Sequence, residues 1–203
     1  MKYLSLLGIV SQIIVALISV AYFKRYSTLF ARILCLLLIV NLIAEVIGAY
    51  CKTHQIDAFL SYYFYTGIAF TLIGVMYLKI IKSKTSKRNI KILMSLFFLL
   101  LLAVFFRQDL FTILIIFGGV NTSIFIFVYL KELLQSNEII NYKKLLSFWV
   151  SVGLLVFYLP SIPFFTMHKY MENRGLFFIL NILIILMNGF ISFGLIWSKE
   201  EKY

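Results

Sequence analysis

Charge is scarce in this sequence, and negative charge scarcer still: 13% of residues are charged, with eight Asp or Glu against 19 Lys or Arg. Soluble domains carry about a quarter charged residues, so a water-soluble fold is excluded. Cysteine is also sparse, at two residues, which leaves no disulfide framework and no CxxC pair. Cys35 and Cys51 fall on one predicted helix, about 24 Å apart at 1.5 Å per residue, and cannot bond to each other within one chain. No nucleophile elbow, HExxH, P-loop or Gly-rich nucleotide loop is present, and no enzymatic activity or cofactor is expected.

What fills the space is apolar surface. Of 203 residues, 63% are hydrophobic and 18% aromatic. Seven apolar runs stand out, over residues 4–23, 29–50, 58–77, 92–106, 110–130, 145–167 and 175–197. A bilayer crossing needs about 20 residues, so the expected fold class is all-α: one polytopic domain of seven transmembrane helices over residues 1–203, with no soluble domain. The run over 92–106 is the shortest. The first run resembles a signal peptide but lacks a small-x-small cleavage site and ends in Lys24-Arg25, so it is expected to be retained as a span.

The net charge of +11 does not point to nucleic acid, because the basic residues sit at the ends of apolar runs, where they set topology and meet anionic headgroups. With the first, third and fifth links and the C-terminus cytoplasmic, 14 Lys or Arg lie inside and five outside. The positive-inside rule then puts the N-terminus outside and the C-terminus in the cytoplasm. Residues 79–91 form the most basic link, and Lys82, Lys84, Lys87 and Arg88 within it are expected to contact a partner or lipid.

Orientation gives each polar residue a depth. Glu45 is the only carboxylate in the middle of a span, about 8 Å below the outer end of the second. Intramembrane ionisable residues are functional candidates by default, but an acid off the midplane can be carried by the apolar residues around it. Two roles stay open: a packing hydrogen bond to Tyr62 or Tyr65, or a ligand, proton or ion site. Asn41 lies one turn deeper on the same face; Tyr158 and Asn181 reach similar depth from spans six and seven. Pro160 and Pro163 each remove a helical hydrogen bond and are expected to kink or break span six as a hinge. Together these residues predict an outward-facing polar cavity.

Other polar features read as packing. Asn181, Asn188 and Ser192 on span seven, and Ser147, Ser151 and Tyr158 on span six, form stripes of helix-packing contacts. Ala44-xxx-Gly48, Gly67-xxx-Thr71 and Gly119-xxx-Ser123 permit close helix approach. His54 and Asp57, with His168 and Glu172, lie in outer loops without a third converging ligand from a span, so no metal site is expected.

Some seven-helix families are excluded by their own motifs. The last span holds no lysine for a rhodopsin Schiff base, no proline-glutamine pair or three-plus-one-plus-three repeat of PQ-loop and SWEET transporters appears, and the cysteines are unpaired. Asn41-x-x-x-Glu45, Tyr62 and Tyr65 opening span three, Phe148-Trp149 with Gly153 and Tyr158, and Asn181 resemble motifs of a group of small uncharacterised bacterial seven-helix inner-membrane proteins. A second acid of that group is Ala69 here. The resemblance implies a bacterial inner-membrane location and a signalling or accessory role beside other proteins. The expected function is thus a non-enzymatic membrane sensor or accessory subunit with partners in the anionic bilayer, a cytoplasmic or membrane protein, or a second copy of itself. A transporter or oligomeric pore of a defence system is the alternative, and a lipid-modifying enzyme the third.

Overall fold

The computed structural model describes residues 2–26, 28–167 and 177–198. Among these the chain is all-helical: α1 (Lys2–Ala21), α2 (Leu29–Thr53), α3 (Phe59–Ile80), α4 (Lys84–Phe106), α5 (Phe111–Leu134), α6 (Leu146–Met167) and α7 (Phe177–Trp197). Two short 3₁₀ segments, Gln108–Leu110 and Asn137–Lys144, lead into α5 and α6. Six helices, α2 to α7, are long and apolar enough to cross a membrane; the apolar part of α1, Leu6–Ala21, is shorter. The architecture is that of a multi-pass membrane protein.

The outer surface supports this. Leu17, Val46, Leu99, Leu102 and Phe105 are among many large apolar side chains left exposed, far more than a soluble protein tolerates. The core lies inside the ring, where Leu34, Ile73, Met76, Tyr77, Ile126, Val150 and Ile191 are almost wholly buried. Helices α1, α2, α3, α5, α6 and α7 pack in that order and α7 closes back on α1, while α4 sits outside against α3 and α5. A second cluster, Tyr63, Phe97, Val104 and Leu114, holds α4 in place.

Lipid gives helices no hydrophobic reason to associate, so close packing and interhelical hydrogen bonds hold the bundle. The Tyr77 hydroxyl meets Ser151 Oγ at 2.8 Å and the Tyr129 hydroxyl meets Ser147 Oγ at 2.6 Å. Asn188 donates to Ser11 Oγ at 2.9 Å across α7 and α1. Ser147, Ser151 and Asn188 thus take the packing role expected of the polar stripes, whereas the Tyr158 hydroxyl forms no such bond. The small-residue pairs also face neighbours: Gly48 lies under Tyr62, Gly67 under Leu101 and Gly119 against Ile162 and Tyr158. The tightest approach to backbone is elsewhere, at Gly153, where a Cβ would stand 2.9 Å from the Met187 carbonyl oxygen.

One boundary moves substantially. The expected basic link over 79–91 is largely helix, because α4 begins at Lys84. The Ser83 hydroxyl accepts from the Ser86 N–H, and the Glu132 carboxylate accepts from the backbone N–H groups of Lys82 and Ser83 at 2.8 and 3.4 Å. A carboxylate at a helix N-terminus offsets the macrodipole, which lets a basic first turn form. The hydropathy pattern lost these residues because their charge hides their helicity.

The basic links share one end of the bundle. Arg25 donates to the Ile196 and Ser198 carbonyls, Tyr26 to that of Leu195, and Lys82 pairs with Glu138. Trp149 at the start of α6 packs on Phe193 near the end of α7, which joins these links into one surface.

Candidate functional site

Glu45 is half-buried on α2. Its hydrogen bond comes from a residue the sequence reading passed over: Gln12 of α1 donates from Nε2 to Glu45 Oε1 at 3.4 Å. A glutamine in the middle of an apolar run was the available signal. Tyr62 and Tyr65 lie within electrostatic reach of Glu45, yet neither hydroxyl bonds to it. The Tyr62 hydroxyl rests over Gly48, where a Cβ would collide with it. The expected tyrosine-to-glutamate packing bond is therefore replaced by an α1-to-α2 contact.

Tyr62, Tyr65 and Tyr158 instead meet around a cavity of about 260 Å³ between α3, α5 and α6. Its remaining wall is mostly apolar, with Ala69, Phe70, Ile115, Phe157 and Phe165, and its other polar groups include Thr66 and Ser161. Ala69, the position where the resembling group carries an acid, thus faces this space and contributes only a methyl group. Cavities of ~150 Å³ hold a benzene ring, so this one accommodates a molecule about twice that size.

The tyrosines divide into two kinds. Tyr26, Tyr63, Tyr77 and Tyr129 all use their hydroxyls in hydrogen bonds, to the Leu195 carbonyl, the Leu101 carbonyl, Ser151 and Ser147. Tyr22, Tyr50, Tyr62, Tyr65, Tyr142 and Tyr158 form no hydroxyl hydrogen bond among the described residues, and of these Tyr62, Tyr65 and Tyr158 line the cavity. Tyr62 is 41% exposed and Tyr65 and Tyr158 are half-buried, so each hydroxyl is open to water or to a molecule in the cavity. Three free hydroxyls on one apolar space are what a bound molecule with polar atoms would complete.

The α6 side of the cavity is the proline segment. The helix runs unbroken through Pro160 and Pro163, so the expected break does not occur. Both prolines are exposed, while Tyr158, Ser161 and Ile162 face inward. Ser161 Oγ donates to the Tyr158 carbonyl at 2.8 Å, which helps hold the turn that the missing proline N–H groups weaken.

The other expected residues lie apart from this space. Asn181 approaches α1, its Oδ1 3.6 Å from where a Cβ on Gly8 would stand, on the far side of the ring from α3 and α5. Asn41 has a buried Oδ1 without a partner. Of the basic residues, Lys82 is paired with Glu138 at 2.6 Å, whereas Lys84, Lys87 and Arg88 lie along the first two turns of α4. His54 Nδ1 is 3.0 Å from Thr53 Oγ1 and from the Tyr50 carbonyl oxygen, and Asp57 caps α3 through the Phe59 N–H. His168 and Glu172 lie outside the described residues. Among the described residues, no three His, Cys, Asp or Glu side chains converge.

No family model, curated protein or solved structure matches this chain.

Proposed function

We propose that this protein is a seven-span membrane sensor or accessory subunit of a bacterial inner membrane, which binds a small amphiphile between α3, α5 and α6. The observation that carries this is a mostly apolar cavity of about 260 Å³ lined by three tyrosines whose hydroxyls bond to no protein group. The ligand class follows from the walls: an aromatic or short-chain molecule with one or two hydrogen-bonding atoms, apolar elsewhere. Binding would draw Tyr158 and the proline segment of α6 against α3, and a helix short of two backbone hydrogen bonds is the element that yields.

Topology supports the reading. α1 has 20 residues, about 30 Å at 1.5 Å per residue, so it serves as the first span and makes the total seven. The basic links gathered at one end support a cytoplasmic location for that end. There Lys84, Lys87 and Arg88 offer a cationic surface to a protein partner or to anionic lipid, through which a change in α6 is passed on.

Mass spectrometry of small molecules that co-purify with the full-length protein in nanodiscs provides the test. The wild type is expected to retain a small amphiphile that is absent from Ala69→Phe and Gly119→Ile, whose side chains fill the cavity. Identical retention by all three proteins would refute the binding site. Cavity-dependent flux of the amphiphile across proteoliposomes would instead identify a transporter.

A further inference from the structure

Two side-chain oxygens on α1 and α2, Gln12 Oε1 and Asn41 Oδ1, are buried without a hydrogen-bond partner. Leaving a buried acceptor unpaired is unfavourable, and two of them flank the one carboxylate in the middle of a span. The Gln12 amide already touches Glu45 through its nitrogen, so its oxygen sits about 2 Å from that nitrogen by ordinary amide geometry. Asn41 is one turn from Glu45 on the same face of α2. The hairpin register is pinned by Ser19 against Cys35 at one level and by Gln12 against Glu45 at the other, and Asn41 falls between these levels. Acceptors thus gather within about one turn of the α1–α2 seam, beside the Gln12 N–H that bonds to Glu45.

We infer that α1 and α2 hold a monovalent alkali cation, coordinated by the Glu45 carboxylate with Gln12 Oε1 and Asn41 Oδ1. Hard cations take oxygen ligands of this kind. One carboxylate balances one positive charge, whereas a divalent ion would leave uncompensated charge in a low-dielectric setting. A proton on Glu45 supplies a single donor and leaves one of the two amide oxygens unpaired. In the assigned site Gln12 has two tasks: its nitrogen orients the carboxylate and its oxygen faces the ion. Tyr62 and Tyr65 of α3 lie within electrostatic reach of the same carboxylate. None of the three cation ligands belongs to the lining of the amphiphile cavity.

The test is thermal unfolding of the purified full-length protein in detergent at pH 8, with choline chloride replaced stepwise by NaCl or KCl at constant ionic strength. The wild type is expected to show a saturable rise in Tm of several degrees with at least one alkali ion. Glu45→Gln and Gln12→Met should abolish that rise, and Cys35→Ala, deeper in the same seam, should keep it. If Glu45→Gln does not fold, Gln12→Met decides, since it preserves the length of the side chain and removes only the amide. A wild-type Tm indifferent to choline, sodium and potassium, or a full cation response in Gln12→Met, overturns the site.

Discussion

Replacing tyrosine by phenylalanine separates the tyrosines that build the bundle from those that face the cavity. Tyr77 is fully buried and its hydroxyl is bonded to Ser151 Oγ at 2.8 Å, with Ser151 fully buried as well. Tyr77→Phe removes one partner and leaves the other in the core. Interhelical side-chain hydrogen bonds in membranes average about 0.6 kcal/mol and reach about 1.7, and an orphaned buried hydroxyl adds roughly 1 kcal/mol or more. A loss of about 1–2 kcal/mol is expected. Tyr158 is different, because its hydroxyl has no partner among the described residues. Tyr158→Phe removes a hydroxyl that bonds to no protein group and should change stability by less than about 0.5 kcal/mol.

The assay is reversible unfolding in mixed micelles by SDS titration, run as two double-mutant cycles. Tyr77→Phe with Ser151→Ala should show a coupling of roughly 0.6–1.7 kcal/mol. Tyr158→Phe with Ser161→Ala should show almost none, because Ser161 bonds to the Tyr158 carbonyl and not to its hydroxyl. A Tyr158→Phe cost equal to that of Tyr77→Phe, or similar coupling in both cycles, would show that the Tyr158 hydroxyl already has a structural partner. The Tyr158 hydroxyl would then no longer be available to a ligand.

Two further expectations address packing and topology. Gly153→Ala places a Cβ 2.9 Å from the Met187 carbonyl oxygen and should cost roughly 1–3 kcal/mol in the same unfolding assay, whereas Gly189→Ala meets nothing within 4 Å and should be neutral or gain up to about 1 kcal/mol of helix propensity; equal effects would mean that α6 and α7 do not pack as closely as described. For seven spans with the N-terminus outside, a C-terminal fluorescent-protein fusion should be bright and a C-terminal alkaline phosphatase fusion inactive, and the reverse pattern would overturn the orientation.

How much of this was legible depended on which coordinate a pattern reports. Hydropathy located the apolar helices because each is a long run of apolar side chains, and a crossing of about 30 Å needs such a run. It misjudged α4, whose first two turns are lysine-rich and made helical by Ser83 and by Glu132 from another helix. Depth within a span follows from counting residues, so Glu45, Tyr62 and Tyr158 could be assigned similar heights. Counting says nothing about position around the ring, and for that reason Asn181 was grouped with residues that lie on the opposite wall. Which tyrosines would be free was likewise invisible, because Ser151 is 74 residues from Tyr77 in the chain. Gln12 was legible in principle, as an amide within an apolar run, but the carboxylate it bonds drew the attention.

Helix α3 is where the two proposed sites meet. Tyr62 and Tyr65 line the cavity from one side and lie within electrostatic reach of Glu45 on the other. An unneutralised carboxylate would draw the two hydroxyl hydrogens toward α2 and leave their lone pairs for a molecule in the cavity. A cation held by Glu45, Gln12 and Asn41 cancels that pull, and the hydroxyls become free to donate inward. Filling the ion site would therefore raise affinity for an amphiphile with acceptor atoms, and by reciprocity the amphiphile would tighten the ion. The interaction runs through two rigid aromatic side chains on one helix and needs no movement of the backbone. It also gives the Glu45 carboxylate a role at a cavity that it does not touch.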